Sequence, residues 1–154
     1  MNLLLVEDNE HKSARIQEFL HSAVPRVDIV CAQSVQEGLK RIRERIPDIV
    51  LLDMSLPAFN NTIHDSGFKH TSYAGKDVLE YLDSFEIEVP VIIITAFTTF
   101  GADKNAFSLE ELNAKFTADF PDHYVGTVWY SSLEHNWKEK LLELIHVATK
   151  KSHD

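Results

Sequence analysis

Three carboxylates in this sequence stand directly after runs of apolar residues: Glu7 and Asp8 follow NLLLV, and Asp53 follows IVLL. A short apolar run that stops abruptly on an acid is how a strand buried on both faces ends at the rim of a parallel sheet. If the first and third such strands are neighbours, the three acids meet in one crevice and repel one another. A hard divalent cation relieves that repulsion. Mg2+ suits the task because it takes a few carboxylate oxygens, keeps several waters and leaves positions for phosphoryl oxygens. The pattern therefore predicts a Mg2+ site built from Glu7, Asp8 and Asp53. In the plainer reading, Asp8 and Asn9 cap the following helix and Asp53 ends a strand in solvent. That reading suits each residue alone, but not three acids at one crevice.

The elements that must position these acids follow from hydrophobic spacing. Residues 2 to 6 form the first strand, and Ile16, Phe19, Leu20 and Ala23 mark a helix that Pro25 stops. A second strand spans Val27 to Ala32. Ser34 and Glu37 have capping-box spacing, and Val35, Leu39, Ile42 and Ile46 give the next helical face before Pro47. Ile49 to Leu52 is the third strand. A polar stretch from Pro57 to Ala74 lacks periodicity and reads as a loop. Val78, Leu82 and Phe85 mark a third helix. The run VPVIIIT at residues 89–95 is a fourth strand, with Pro90 tolerable at its start and Thr95 closing it. Phe97 to Phe107 reads as a loop. Ser108 and Glu111 then open a helix carrying Leu109, Leu112 and Phe116. Tyr124 to Tyr130 is the fifth strand, and Trp137, Leu141, Ile145 and Ala148 line the final helix.

Strand and helix alternate five times, which predicts an α/β fold with a doubly wound five-stranded parallel sheet. In the order 2-1-3-4-5, strands one and three are adjacent where the chain reverses direction, and ligands bind at that point. One domain over residues 1–150 is expected, with 151–154 a frayed tail.

Composition narrows the function. A formal charge of −9 with scattered Lys and Arg disfavours nucleic acid, whose phosphates need clustered cations. No apolar stretch approaches the roughly 20 residues that span a bilayer, and the opening MNLLLVEDNE turns acidic too early for a signal peptide, so a cytoplasmic location is expected. Cys31 is the only cysteine, which rules out an internal disulfide; its neighbours VDIVCA suggest a buried strand residue rather than a reactive thiol. The eight histidines show no ligand spacing such as HExxH.

The segments VEDNE, DIVLLDMSLP and VPVIIITAF, in that order, resemble the successive signatures of response-regulator receiver domains of the chemotaxis-regulator-like kind, with their flavodoxin-like fold. The resemblance extends over nearly the whole chain. It implies that Asp53 is the phosphoacceptor, that Glu7 and Asp8 hold Mg2+ with it, and that Thr95 contacts the phosphoryl group as a switch. Ala96 matches the small residue that leaves room for the phosphate. The implied partners are a histidine kinase or phosphotransfer protein upstream and a protein target downstream, with a homodimer as a further option. Neither nucleic acid nor membrane is expected. Enzymatic activity would be at most Mg2+-dependent self-phosphorylation and self-dephosphorylation.

Three positions depart from the family. Receivers normally end strand five with a lysine followed by proline. An ungapped count from the last helix places Tyr130 at the lysine, Ser131 at the proline and Thr127 at the usual switch aromatic. A missing ammonium leaves the acidic pocket short of positive charge. Lys104, in the loop after strand four, could reach in, although an ordinary surface lysine is the simpler reading. Tyr130 could donate a neutral hydrogen bond. The segments after Asp53 and after Thr95 are also long for the family. His64, Asp65, His70 and Tyr73 could cover the site, against the simpler reading of a polar loop. Trp129, Tyr130 and Trp137 fit either a core or a partner surface.

The leading expectation is a stand-alone receiver phosphorylated on Asp53 and acting through protein contacts. The alternative is a phosphorylation-independent pseudo-receiver. A haloacid-dehalogenase-like phosphatase also uses an aspartate after a strand, but its DxD motif is absent around Asp8 and Asp53.

Overall fold

The structure is a computed structural model, and it describes residues 1–54, 56, 74–96, 99–100 and 107–151. Its elements in chain order are β1 (Asn2–Val6), α1 (Glu10–Ala23), β2 (Asp28–Ala32), α2 (Val35–Glu44), β3 (Ile49–Leu52), α3 (Ala74–Ser84), β4 (Val91–Thr95), β5 (Thr99–Phe100), β6 (Phe107–Ser108), α4 (Leu109–Asp119), β7 (Tyr124–Trp129) and α5 (Asn136–Lys151). Five parallel strands form one sheet in the order β2-β1-β3-β4-β7, so β7 is the strand expected fifth and the order is the one predicted.

The apolar runs become central strands because both of their faces are covered. Every residue of β3 and β4 is buried. One apolar cluster packs Leu4, Val6, Val50, Leu52, Val91 and Ile93 against α2, α3 and α4. The other packs Leu3, Leu5, Ile49, Leu51, Ile92 and Ile94 against α1 and α5. Each such side chain contributes about 1.5–3 kcal/mol on leaving water. Helix starts follow the capping logic. Asn9 caps α1 by accepting from the Lys12 amide, and Ser108 and Glu111 form a full capping box on α4. At α2, Ser34 accepts from the Glu37 amide, while the Glu37 carboxylate reaches one residue further back than expected, to the Gln33 amide.

Four expectations need correction. Cys31 is exposed, because β2 is an edge strand and only Ala32 of it is buried. Its thiol is nonetheless partly shielded: desolvation raises its pKa against the opposing hydrogen bond to Ser13, and the Glu37 charge adds to the rise. Phe85 and Ile46 are exposed, since each lies just past the end of its helix and so off the apolar stripe. The segment expected as an unbroken loop after Thr95 contains a short antiparallel ribbon, in which Thr99 pairs with Ser108 and Phe100 with Phe107. The tail at 152–154 and the loop at 57–73 lie outside the described residues.

A bulge in β7 changes which side chains face which helix. Val91 pairs with Tyr124 but Ile92 with Gly126, so one residue of β7 is unmatched. A strand normally alternates faces. Here the extra residue puts Tyr124 and Thr127 on one side of the sheet, where the two hydroxyls bond each other and Tyr124 donates to Asn113 Oδ1 at 2.7 Å. Val128 and Tyr130 join the opposite core beneath α1 and α5.

Candidate functional site

The site residues sit one step beyond their strands yet remain tied to the ladder. The Glu7 amide donates to Ala32 O at 2.9 Å, the Asp53 amide to Val6 O at 3.1 Å and the Tyr130 amide to Thr95 O at 2.8 Å. These bonds extend the sheet by one residue at its carboxyl edge and fix where the side chains emerge. Glu7, Asp8 and Asp53 each offer a carboxylate oxygen, and the three oxygens lie within 4.8 Å of one another. The convergence expected from topology is therefore present. Glu7 and Asp53 are buried, whereas Asp8 is half-exposed and opens the cluster to solvent.

This donor set fits Mg2+. The ligands are hard oxygens, the spacing allows all three to face one ion, and the half-exposed Asp8 leaves room for retained water. Asn9 turns out to cap α1, so the capping role and the acidic cluster fall to different residues.

Thr95 is fully buried at the end of β4. Because Leu52 pairs with Ile93, Asp53 and Thr95 leave the same edge of adjacent strands. Ala96 follows, its carbonyl accepting from the Trp129 indole at 3.3 Å. Of the three aromatic residues with two readings, Tyr130 and Trp137 are core, their rings 5.1 Å apart, while Trp129 is 42% exposed. Thr127, at the usual switch position, is occupied by its bond to Tyr124, whose hydroxyl burial pushes up to about 12 despite that bond. Lys104, His64, Asp65, His70 and Tyr73 lie outside the described residues.

Sequence reasoning missed Lys12. Its ammonium is 2.5 Å from Glu7 Oε1 and 3.5 Å from Asp53 Oδ2, and it donates to Ile94 O at 2.9 Å. The same nitrogen lies 5.6 Å from the centroid of the Tyr130 ring. The signal was available: Lys12, Ile16 and Leu20 are spaced four apart and are the buried residues of α1. A lysine at the head of an apolar stripe cannot be an ordinary solvated one.

The sequence profile of the response regulator receiver domain matches residues 3–112. The chain belongs to this family. It is 30% identical to the uncharacterized protein y4jR of Sinorhizobium fredii, over 90% of this chain and 92% of that protein. It is 26% identical to the Detocs response regulatory protein DtcB of Enterobacter cloacae, over 94% of this chain and 98% of the relative. Among solved structures, it resembles a response regulator receiver domain protein from Clostridium thermocellum, with a TM-score of 0.67, 17% identity and coverage of 99% and 96% of the two chains. It likewise resembles the receiver domain of the Francisella response regulator 1452, with a TM-score of 0.64, 18% identity and coverage of 97% and 98%. These structural likenesses speak for the fold. No helix among the described residues is long and apolar enough to cross a membrane.

Proposed function

We propose that this receiver accepts a phosphoryl group on Asp53 in two-component signalling and acts through contacts with another protein. The observation that carries the reading is the gathering of Glu7, Asp8 and Asp53 at the carboxyl edge of adjacent strands. An Asp53 carboxylate oxygen attacks phosphorus in a phosphohistidine; the new P–O bond forms as the P–N bond breaks, and its electron pair leaves with the imidazole. Glu7, Asp8 and Asp53 would hold Mg2+, which neutralises charge on the transferred group when bound. Thr95, leaving the same edge, supplies a hydroxyl to the phosphoryl oxygens, and Ala96 keeps the approach open. The protein is a phosphorylated relay component rather than an enzyme with a separate substrate, and it works in the cytoplasm. Its near-complete coverage of the DtcB relative supports a stand-alone receiver whose partners are a kinase or phosphotransfer protein and a downstream protein.

Beryllofluoride, a phosphoryl mimic, tests this reading. In the presence of Mg2+ it should shift the tryptophan fluorescence of the unmodified protein and leave Asp53→Asn unchanged. Absence of any response in the unmodified protein would overturn the proposal. The placement of buried Tyr130 where the family carries lysine favours the pseudo-receiver alternative. That alternative requires partner binding to be the same for Asp53→Asn and the unmodified protein.

A further inference from the structure

We propose that Lys12 is the phosphoryl-contacting cation of this receiver, supplied from the first turn of α1 in place of the lysine that the family takes from the end of its fifth strand. The inference rests on the reading of Asp53 as phosphoacceptor and goes beyond it by assigning the missing positive charge.

Four contacts fix the ammonium at the carboxyl edge of the sheet. It pairs with Glu7 after β1 at 2.5 Å and approaches Asp53 after β3 at 3.5 Å. It donates to Ile94 O of β4 at 2.9 Å and lies over the ring of Tyr130, just past β7, at 5.6 Å from the centroid. An ammonium has three donors. One is given to Ile94 O, while the approaches to Glu7 and Asp53 are charge contacts, which leaves two donors for oxygens at or beside those carboxylates.

Burial and position on the helix do not by themselves select a lysine here. Its side chain is 7% exposed, so the charge is withdrawn from water at substantial cost. It also lies in the first turn of α1, where the helix dipole disfavours a cation. Were no acids beside it, a leucine or methionine would continue the stripe of Ile16 and Leu20 and carry neither penalty. The compensation lies in the acidic pocket, and the residue that departs from the family complements it. Tyr130 presents a ring to the ammonium, and its own hydroxyl is buried with no hydrogen-bond partner among the described residues. Aromatic and lysine thus exchange places: the cation now arrives from α1, and the strand-end position becomes the surface it rests on.

During transfer from acetyl phosphate, an Asp53 oxygen bonds to phosphorus while the P–O bond to the acetyl group breaks and acetate departs with the electron pair. The step needs no proton. Lys12 exchanges part of its contact with Glu7 for a phosphoryl oxygen.

The test measures Asp53 loading from acetyl phosphate at saturating Mg2+ by intact-protein mass spectrometry. Lys12→Met should load about 100-fold more slowly, the loss typical of removing one preorganised donor from developing charge. Adding Tyr130→Lys to Lys12→Met returns an ammonium by the family's route and should recover at least tenfold of that loss, a rescue that a merely structural role would not give. If Lys12→Met fails to fold, Lys12→Gln, which keeps a donor without charge, is read in the same way and with the same rescue. Loading of a folded Lys12 variant at the unmodified rate, or a slow variant that Tyr130→Lys does not rescue, overturns the assignment while leaving Asp53 as acceptor. Failure of the unmodified protein to load overturns both.

Discussion

Replacing Asp53 by Asn should stabilise the metal-free protein and do little once Mg2+ is bound. The substitution keeps the side chain's shape and removes one negative charge from a cluster that, among the described residues, holds three acids and one ammonium. At an effective dielectric near 20, charges separated by the 4.8 Å that bounds the carboxylate cluster repel by ~3.5 kcal/mol per pair, and charges at 3.5 Å, as for Asp53 and Lys12, attract by ~4.7 kcal/mol. Two repulsions therefore outweigh one attraction by ~2 kcal/mol. Solvent screening at half-exposed Asp8 lowers this figure, and relief of the desolvation of buried Asp53 raises it. Urea unfolding with a chelator present should thus show Asp53→Asn to be about 2 kcal/mol more stable. With excess Mg2+ the difference should shrink or reverse, because the unmodified protein gains binding free energy that the variant lacks. Equal stability in the chelator, or the same gain with and without Mg2+, would refute the electrostatic reasoning.

Other consequences follow from the same contacts. Lys12→Met should lower stability in the chelator by about 3–5 kcal/mol, the usual cost of stripping one partner from a buried ion pair, and Mg2+ should restore part of it; urea midpoints with and without the metal check this. The Tyr124 hydroxyl has a folded pKa of about 12, above its unfolded value of 10.0, so its contribution is intact below pH 10 and is lost as pH rises toward 12. The loss amounts to at most ~2.7 kcal/mol, and Tyr124→Phe should remove this alkaline dependence in melts compared at pH 8 and above 11. Ser108→Ala removes the cap of α4 and should cost ~1 kcal/mol in urea unfolding, without altering Mg2+ binding.

The acidic site was legible because strand ends in a parallel sheet are announced twice, by an apolar run and by the charge that stops it. Glu7, Asp8 and Asp53 carry both signals, and alternation of strands and helices then fixes which ends are neighbours. Lys12 carried only half of such a signal. A charged residue in a first helical turn ordinarily reads as solvated, and its place on the Ile16–Leu20 stripe becomes decisive only once α1 is seen to lie over the pocket. The face assignment on β7 was hidden for another reason. Inserting one residue reverses the alternation, and the one mark in YVGTVW is Gly126, a strand-interior glycine of the kind that accompanies a bulge without fixing which residue is extra. The β5–β6 ribbon is silent, since two residues per strand leave no periodicity to read.

The most direct measurement locates the phosphoryl group itself. Protein incubated with acetyl phosphate and Mg2+ is reduced with borohydride, which converts an acyl phosphate to an alcohol, and the modified residue is found by peptide sequencing in the mass spectrometer. The account predicts modification at Asp53 and nowhere else, abolished by chelation. Modification at another carboxylate, or none under conditions that load other receivers, would contradict it.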